Sequence, residues 1–171
     1  MLSGATDRLR QAVEIAGRLD DEVDFLARQL RPAVLDDLGL AAALPKYVEQ
    51  WSAQFCIAAE FSGRIGSRVM PADVELTFYR VAQEALHNIT KHARARHVGV
   101  LLEQHAGGVL LIVEDNGIGF DPGGVAHGVG LGLVGMQERA TLVDAMLEIE
   151  STRGVGTTIF LRWPAHTRSG A

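Results

Sequence analysis

Asp115 closes a run that begins Val109-Leu-Leu-Ile-Val-Glu and opens into Asn-Gly117-Ile-Gly119-Phe. Val109 to Val113 is a short, continuous apolar stretch rich in branched side chains, which predicts a strand covered on both faces. A carboxylate held where such a strand leaves the sheet can accept a hydrogen bond from an exocyclic amine, such as that of adenine. In a dry pocket that charge-assisted bond would discriminate between bases. Gly117 and Gly119 would let the backbone take a positive φ or approach a ligand closely. Read alone, Asp-Asn-Gly is equally ordinary turn chemistry.

A second set of polar residues lies upstream. Arg80, Glu84, Asn88, Lys91 and His92 recur at steps of three and four on a helix expected from Pro71 to about Lys91. They border the apolar stripe Val74, Phe78, Val81, Ala85 and Ile89, which should face a sheet. A carboxylate and an amide oxygen one turn apart suit Mg²⁺, which keeps several waters and takes its other ligands from phosphates. The plainer alternative is a polar face with an i,i+4 pair. His87, His92 and His97 are close in sequence, but the i,i+5 step of the first two does not share a face, and no cysteine joins them. Zinc is disfavoured.

Two further glycine clusters follow. Gly128-Val-Gly130-Leu-Gly132-Leu-Val-Gly135 opens onto a helix, so its free backbone N–H groups could hold phosphates. It is neither a P-loop nor a Rossmann fingerprint. Gly154-Val-Gly156-Thr157-Thr158 places two hydroxyls at the start of a strand. Thr157 or Thr158 could hydrogen-bond near a base held by Asp115, directly or through water.

These residues need a scaffold, and the pattern supplies one. Leu9, Val13, Ala16, Leu19, Val23, Leu26 and Leu30 form one stripe of a long amphipathic helix from about Asp7 to Arg31, which needs another helix or another chain to cover it. Pro32 ends it. Asp36 or Asp37 suits the N-cap of a helix through Trp51 that Pro45 would kink or split. Ile57 to Phe61 reads as a strand, and Ser62-Gly63 to Ser67 as a loop. His97 to Gln104 and Val109 to Asp115 pair as one hairpin-like unit, and Met146 to Glu150 and Gly156 to Trp163 as another. Between the two units come the loop Pro122 to Gly130 and a helix from Leu131 to Leu142. The pattern is α+β: an antiparallel or mixed sheet with helices on one face.

Composition agrees with one globular domain carrying an appended helix: 171 residues, 47% hydrophobic and 22% charged. The net charge of -5 argues against nucleic acid as the principal partner. The single cysteine, Cys56, excludes an internal disulfide, suggests a reducing compartment, and is expected to be a small buried hydrophobe. No apolar run is long enough to span a bilayer.

Taken in order, Glu84-Ala-Leu-His-Asn88-Ile-Thr-Lys91-His92, Asp115-Asn-Gly117-Ile-Gly119-Phe, Gly130-Leu-Gly132-Leu and Gly154-Val-Gly156-Thr157-Thr158 resemble the boxes of one family. It is the GHKL, or Bergerat-fold, ATP-binding domain of sensor histidine kinases, gyrase-type topoisomerases, Hsp90 chaperones and MutL proteins. The resemblance covers about Leu40 to Trp163 and implies a two-layer α/β sandwich with a mixed, mainly antiparallel sheet and helices on one face. Upstream, Leu30-Arg-Pro32-Ala-Val-Leu35-Asp-Asp-Leu-Gly39-Leu-Ala-Ala-Ala-Leu44 resembles the end of the dimerisation domain in the nitrate-sensor and desaturase-sensor histidine kinases. The short lid from Asp121 to Val129 fits that subfamily as well.

The resemblance implies that Asp115 receives the adenine amine and that Gly117 and Gly119 let the base pack against the backbone. It implies that Asn88 ligates Mg²⁺ on the ATP phosphates, and that Glu84 orients a metal-bound water or acts as a base. Lys91 would contact phosphate, Gly130, Leu131 and Gly132 would flank the lid, and Thr157 would support the adenine end. Residues 1–35 would be the second helix of a dimerisation domain, 36–164 the catalytic domain, and 165–171 a disordered tail. The family's phosphoacceptor stretch has no counterpart, and the six histidines all lie at or beyond His87. The expectation is therefore a cytoplasmic kinase fragment, from a full-length protein with or without a membrane anchor, that binds ATP and does not phosphorylate itself. Its expected partners are the missing histidine helix, a response regulator and, in the full-length protein, a second copy. The competing readings are an ATP-hydrolysing clamp, whose relatives continue into a transducer domain, and a non-enzymatic dimerisation module.

Overall fold

The computed structural model describes residues 33–64, 70–121 and 131–164. The expected helix over residues 7–31, the lid beyond Asp121 and the 165–171 tail lie outside the described residues. The described elements are α1 (Ala33–Leu38), α2 (Leu40–Phe55), β1 (Ala58–Arg64), α3 (Ala72–Asn88) with a π-helical turn (Ile89–Ala93), β2 (His97–His105), β3 (Gly108–Asp115), α4 (Leu131–Leu142), β4 (Met146–Thr152) and β5 (Gly156–Pro164). The five strands form one sheet in the order β1-β2-β3-β5-β4. β1 runs parallel to β2, and the other pairs are antiparallel. The mixed α+β architecture expected from the pattern is present.

The α3 stripe forms as its spacing requires: Val74, Phe78, Val81, Ala85 and Ile89 are all buried. They meet Val98, Val100 and Leu102 of β2, Val109, Leu111 and Val113 of β3, and Ile159 and Leu161 of β5 in one core. Leu40, Leu44, Val48 and Trp51 of α2 extend that core. The Trp51 indole Nε1–H donates to Thr90 Oγ1 at 3.1 Å, and the Thr90 hydroxyl donates to the Leu86 carbonyl at 3.1 Å. One hydroxyl therefore ties α2 to the turn where α3 widens.

Several expectations change. Asp36 and Asp37 lie inside α1, and the N-cap position of α2 is Gly39, whose φ of 69° reverses the backbone there. Pro45 sits within α2, which runs from Leu40 to Phe55 without splitting. β1 continues through Ser62 and Gly63 because they stay in register with Leu101 and Leu102 of β2. Cys56 is exposed and left-handed (φ 55°) at the end of α2, rather than buried. In β3, Val109, Leu111, Val113 and Asp115 are buried, Leu110 and Ile112 are half-buried, and Glu114 is exposed. Among the described residues, helices cover one face of this strand. On the other face Ile112 lies between Leu101 and Phe160 in register. Arg162 lies over the Phe160 ring at 5.0 Å and donates to Glu148 at 2.7 Å. Mutual shielding by such neighbours lets an apolar run persist on an open face.

Candidate active site

A cavity of about 480 Å³ opens where the C-terminal end of β3 meets the end of α3 and the start of α4. Ala85, Asn88, Ile89, His92 and Ala93 line it from the helix side. Val113 and Asp115 contribute from β3, and Thr157 and Ile159 from β5. Ile118, Gly119 and Phe120 close it from the loop, and Gly132 and Leu133 from α4. An apolar chamber with a few convergent polar groups is the usual form of a small-molecule site.

Asp115 is 6% exposed, and its Oδ1 accepts the Gly117 N–H at 2.7 Å. Among the described residues no donor engages its second oxygen. Burial pushes the Asp115 carboxyl above its ordinary value, the Gly117 N–H pulls it down, and the neighbouring Glu114 charge raises it again. A ligand N–H reaching the free oxygen would relieve that desolvation. Across the ladder Asp115 faces Thr157, whereas Thr158 pairs with Glu114 on the opposite side of the sheet. Of the two threonines left open by the sequence, Thr157 lines the cavity.

On the helix side, Asn88 carries a buried amide nitrogen that has no hydrogen-bond partner among the described residues. A carboxamide left unsatisfied against a cavity is a costly feature in a closed protein and a natural one in a binding site. Rotation about its terminal bond exchanges oxygen for nitrogen, so either can face a ligand. Glu84, 8% exposed, lies behind this wall against α4. A Cβ added to Gly132 would collide with Glu84 Oε1 and come within 3.0 Å of its Cδ. The glycine is the reason the helix start can sit on that carboxylate.

The widened turn at Ile89–Ala93 alters one expectation about the ridge. Asn88, His92 and Ala93 face the cavity, while Lys91 is exposed and outside its lining. A π turn carries more residues per revolution than an α turn, so the step of three beyond Asn88 no longer tracks the same face. Gly117 also lies outside the lining. It packs against the Ala93 carbonyl and the Asp115 carboxylate, and so fixes the loop to the turn. Gly119 does line the cavity, with a φ of 56° that suits glycine. Leu131 is the first residue of α4, and Gly130 lies outside the described residues.

Two residues matter that sequence reasoning did not single out. Asn116 Oδ1 accepts the N–H groups of Arg96 and His97, each at 3.0 Å, which anchors the loop after Asp115 to the chain entering β2. Ser151 Oγ accepts the Phe120 N–H at 2.8 Å and lies 2.9 Å from Thr157 Oγ1. Pairing the β4–β5 hairpin about Arg153-Gly154-Val155 places Ser151 opposite Thr157 and was the signal available in the sequence.

Residues 73–167 match the family described as histidine kinase-, DNA gyrase B-, and HSP90-like ATPase. The chain is 37% identical over 158 residues to the oxygen sensor histidine kinase NreB of Staphylococcus carnosus, covering 92% of this chain and 46% of that protein. It is 38% identical over 146 residues to the histidine-protein kinase/phosphatase DegS of Brevibacillus brevis, covering 85% of this chain and 38% of that one. The chain thus spans less than half the length of both relatives. Among solved structures, the histidine kinase domain of the Erythrobacter litoralis EL346 blue-light activated histidine kinase superposes with a TM-score of 0.63 at 19% identity, over 73% of this chain and 60% of that one. The Acinetobacter baumannii histidine kinase AdeS superposes with a TM-score of 0.65 at 10% identity, over 90% and 83%. At those identities the likeness is one of fold. With the match over residues 73–167 and a cavity walled by Asp115 and Asn88, this chain belongs to the histidine kinase-, DNA gyrase B-, and HSP90-like ATPase family.

Proposed function

We propose that the chain is the ATP-binding catalytic part of a sensor histidine kinase, transferring the γ-phosphoryl group of ATP to a histidine on a separate helix. One observation carries this reading. A buried carboxylate from β3 and an unsatisfied amide from α3 enter the same cavity. The first suits a base amine; the second, as placed, offers an N–H to a phosphate oxygen and, with its amide turned over, an oxygen to a phosphate-borne cation. Identity to NreB and DegS over most of this chain supports a kinase over a clamp or a simple interaction module.

Asp115 would accept the adenine amine, while Ile118, Ile159 and Val113 exclude water around the base. Gly119 lets the loop backbone approach it. Among the described residues no group of three or more His, Cys, Asp or Glu side chains could hold a metal by itself. That suits Mg²⁺ arriving with the triphosphate, because the ion then needs few protein ligands. Asn88 would be its ligand, and the ion would neutralise phosphate charge. Glu84, tucked against α4, would orient a metal-bound water or act as a base.

A nitrogen of the acceptor imidazole bonds the γ-phosphorus as the bond to the β-bridging oxygen breaks, and ADP leaves. Such transfer depends mainly on positioning and charge neutralisation. A response regulator and a second copy, joined through dimerisation helices, would be the protein partners. Among the described residues no helix is long and apolar enough to cross a membrane.

The test is titration with ATP in the presence and absence of Mg²⁺, together with transfer to a polypeptide carrying the histidine helix. Asp115→Ala should abolish measurable binding, and Asn88→Ala should remove the Mg²⁺-dependent part. Wild-type ATP affinity in Asp115→Ala would refute the assignment.

A further inference from the structure

We propose that Ser151 sets the hydrogen-bonding polarity of Thr157, so that the base end of the cavity presents acceptors and selects a 6-amino purine over a 6-oxo purine. The inference rests on the reading of this cavity as an adenine site.

Three groups surround the Ser151 hydroxyl. The Phe120 N–H donates to it at 2.8 Å, the Gly156 carbonyl lies at 3.1 Å, and Thr157 Oγ1 lies at 2.9 Å. A hydroxyl has one hydrogen and two lone pairs. The amide of Phe120 occupies one lone pair. The Gly156 carbonyl can only accept, so it takes the serine hydrogen. What remains towards Thr157 is the second lone pair, and the threonine hydrogen fills it. In this arrangement every capacity of Ser151 is used. The reverse arrangement, in which Ser151 donates to Thr157, would withdraw the serine hydrogen from the Gly156 carbonyl.

The consequence falls on the cavity. With its hydrogen turned towards Ser151, Thr157 presents lone pairs to the chamber it lines. Its partner across the ladder is Asp115, whose carboxylate also only accepts. Two adjacent acceptors match the two hydrogens of an amino group and oppose the carbonyl of inosine or guanine. The same serine holds the Phe120 amide, so the loop that closes the base and the hydroxyl that reads it share one anchor.

The experiment compares equilibrium affinities for ATP and ITP in wild type, Ser151→Ala, Ser151→Thr and Thr157→Val. Wild type should prefer ATP. In Ser151→Ala the Thr157 hydrogen is freed to point into the cavity, and the ATP:ITP ratio should fall about five- to tenfold, the worth of one hydrogen bond. Ser151→Thr keeps the hydroxyl and should restore the ratio. Thr157→Val, read through the same ratio, gives an independent arm should Ser151→Ala not fold, and should also lower it. A merely structural role for Ser151 would weaken both nucleotides in equal proportion. That result, or an unchanged ratio, overturns the proposal while ATP binding still depends on Asp115. If Asp115→Ala binds ATP as wild type does, the adenine reading itself has failed instead.

Discussion

Replacing Gly117 with alanine tests whether the loop after β3 is held by close approach. A Cβ there would collide with the Ala93 carbonyl oxygen, and would lie 2.7 Å from Asp115 Oδ1 and 2.8 Å from the Ala93 carbonyl carbon. The obstacle is the backbone of the π turn, so no rotamer change relieves it. Either the loop or the turn must shift, and two hydrogen bonds are exposed to that shift. They are Gly117 N–H to Asp115 Oδ1 at 2.7 Å and Ile118 N–H to the Ala93 carbonyl at 2.8 Å. The first has a charged acceptor and is worth about 1.5–3 kcal/mol, the second about 1 kcal/mol. Partial loss of both gives a destabilisation of about 2–4 kcal/mol, or a melting temperature roughly 5–15 °C lower for a domain of this size.

Thermal melts by circular dichroism read the first effect, and titration with ATP reads the second, because the same shift loosens the Asp115 carboxylate. Gly154→Ala is the comparator. Gly154 has a φ of 79° with no atom within 4 Å of an added Cβ, so it should lose only the conformational cost of about 1 kcal/mol. If Gly117→Ala melted no lower than Gly154→Ala and bound ATP normally, the close-approach argument would be wrong.

Other outcomes follow from the same geometry. Burial raises the Asp115 pKa, so this group contributes stability below its ordinary value of 3.8 and loses that contribution as pH rises through the raised value. Asp115→Asn should therefore melt higher than wild type near neutrality, with the gap closing on acidification; a gap that widened instead would contradict the sign. ATP affinity should fall as pH drops through the same window, because the carboxylate loses the charge that strengthens its bond to an amine. Gly132→Ala places a Cβ against Glu84 Oε1 and turns that carboxylate away. Its stability should change by less than about 1 kcal/mol, helix propensity offsetting the contact, while phosphotransfer falls at least about tenfold; undiminished transfer would separate Glu84 from the chemistry. Trp51→Phe and Thr90→Val should each cost about 1 kcal/mol and couple in a double-mutant cycle. Strict additivity in denaturant melts would show that the indole does not hold the turn.

The sequence by itself determined three of the polar groups that line the cavity, and the elements under them. Periodicity over Val74 to Ile89 fixed which face of α3 is buried, since a 3.6-residue repeat leaves one apolar stripe to cover. Asp115 at the end of an apolar run, Asn88 beside the α3 stripe and a hydroxyl just after Gly156 were legible in the same way, because each depends on neighbours within one element.

Tertiary structure decided what those local rules do not carry. An apolar run does not say how many faces are covered, and among the described residues Ile112 of β3 is flanked on its outer face by Leu101 and Phe160 rather than by a helix. At Ile89–Ala93, where a π turn is pinned by Thr90 to Trp51 some forty residues away, His92 lines the cavity and Lys91 does not, although the ridge spacing allowed both. The close approach of Gly117 to that turn was equally out of reach of the sequence, because the atom a side chain there would meet belongs to Ala93. Ser151 became visible when the hairpin register set it beside Thr157 and Phe120. Contacts between distant residues depend on register and on the exact turn of a helix, and a shift of one residue in either moves a side chain to another face.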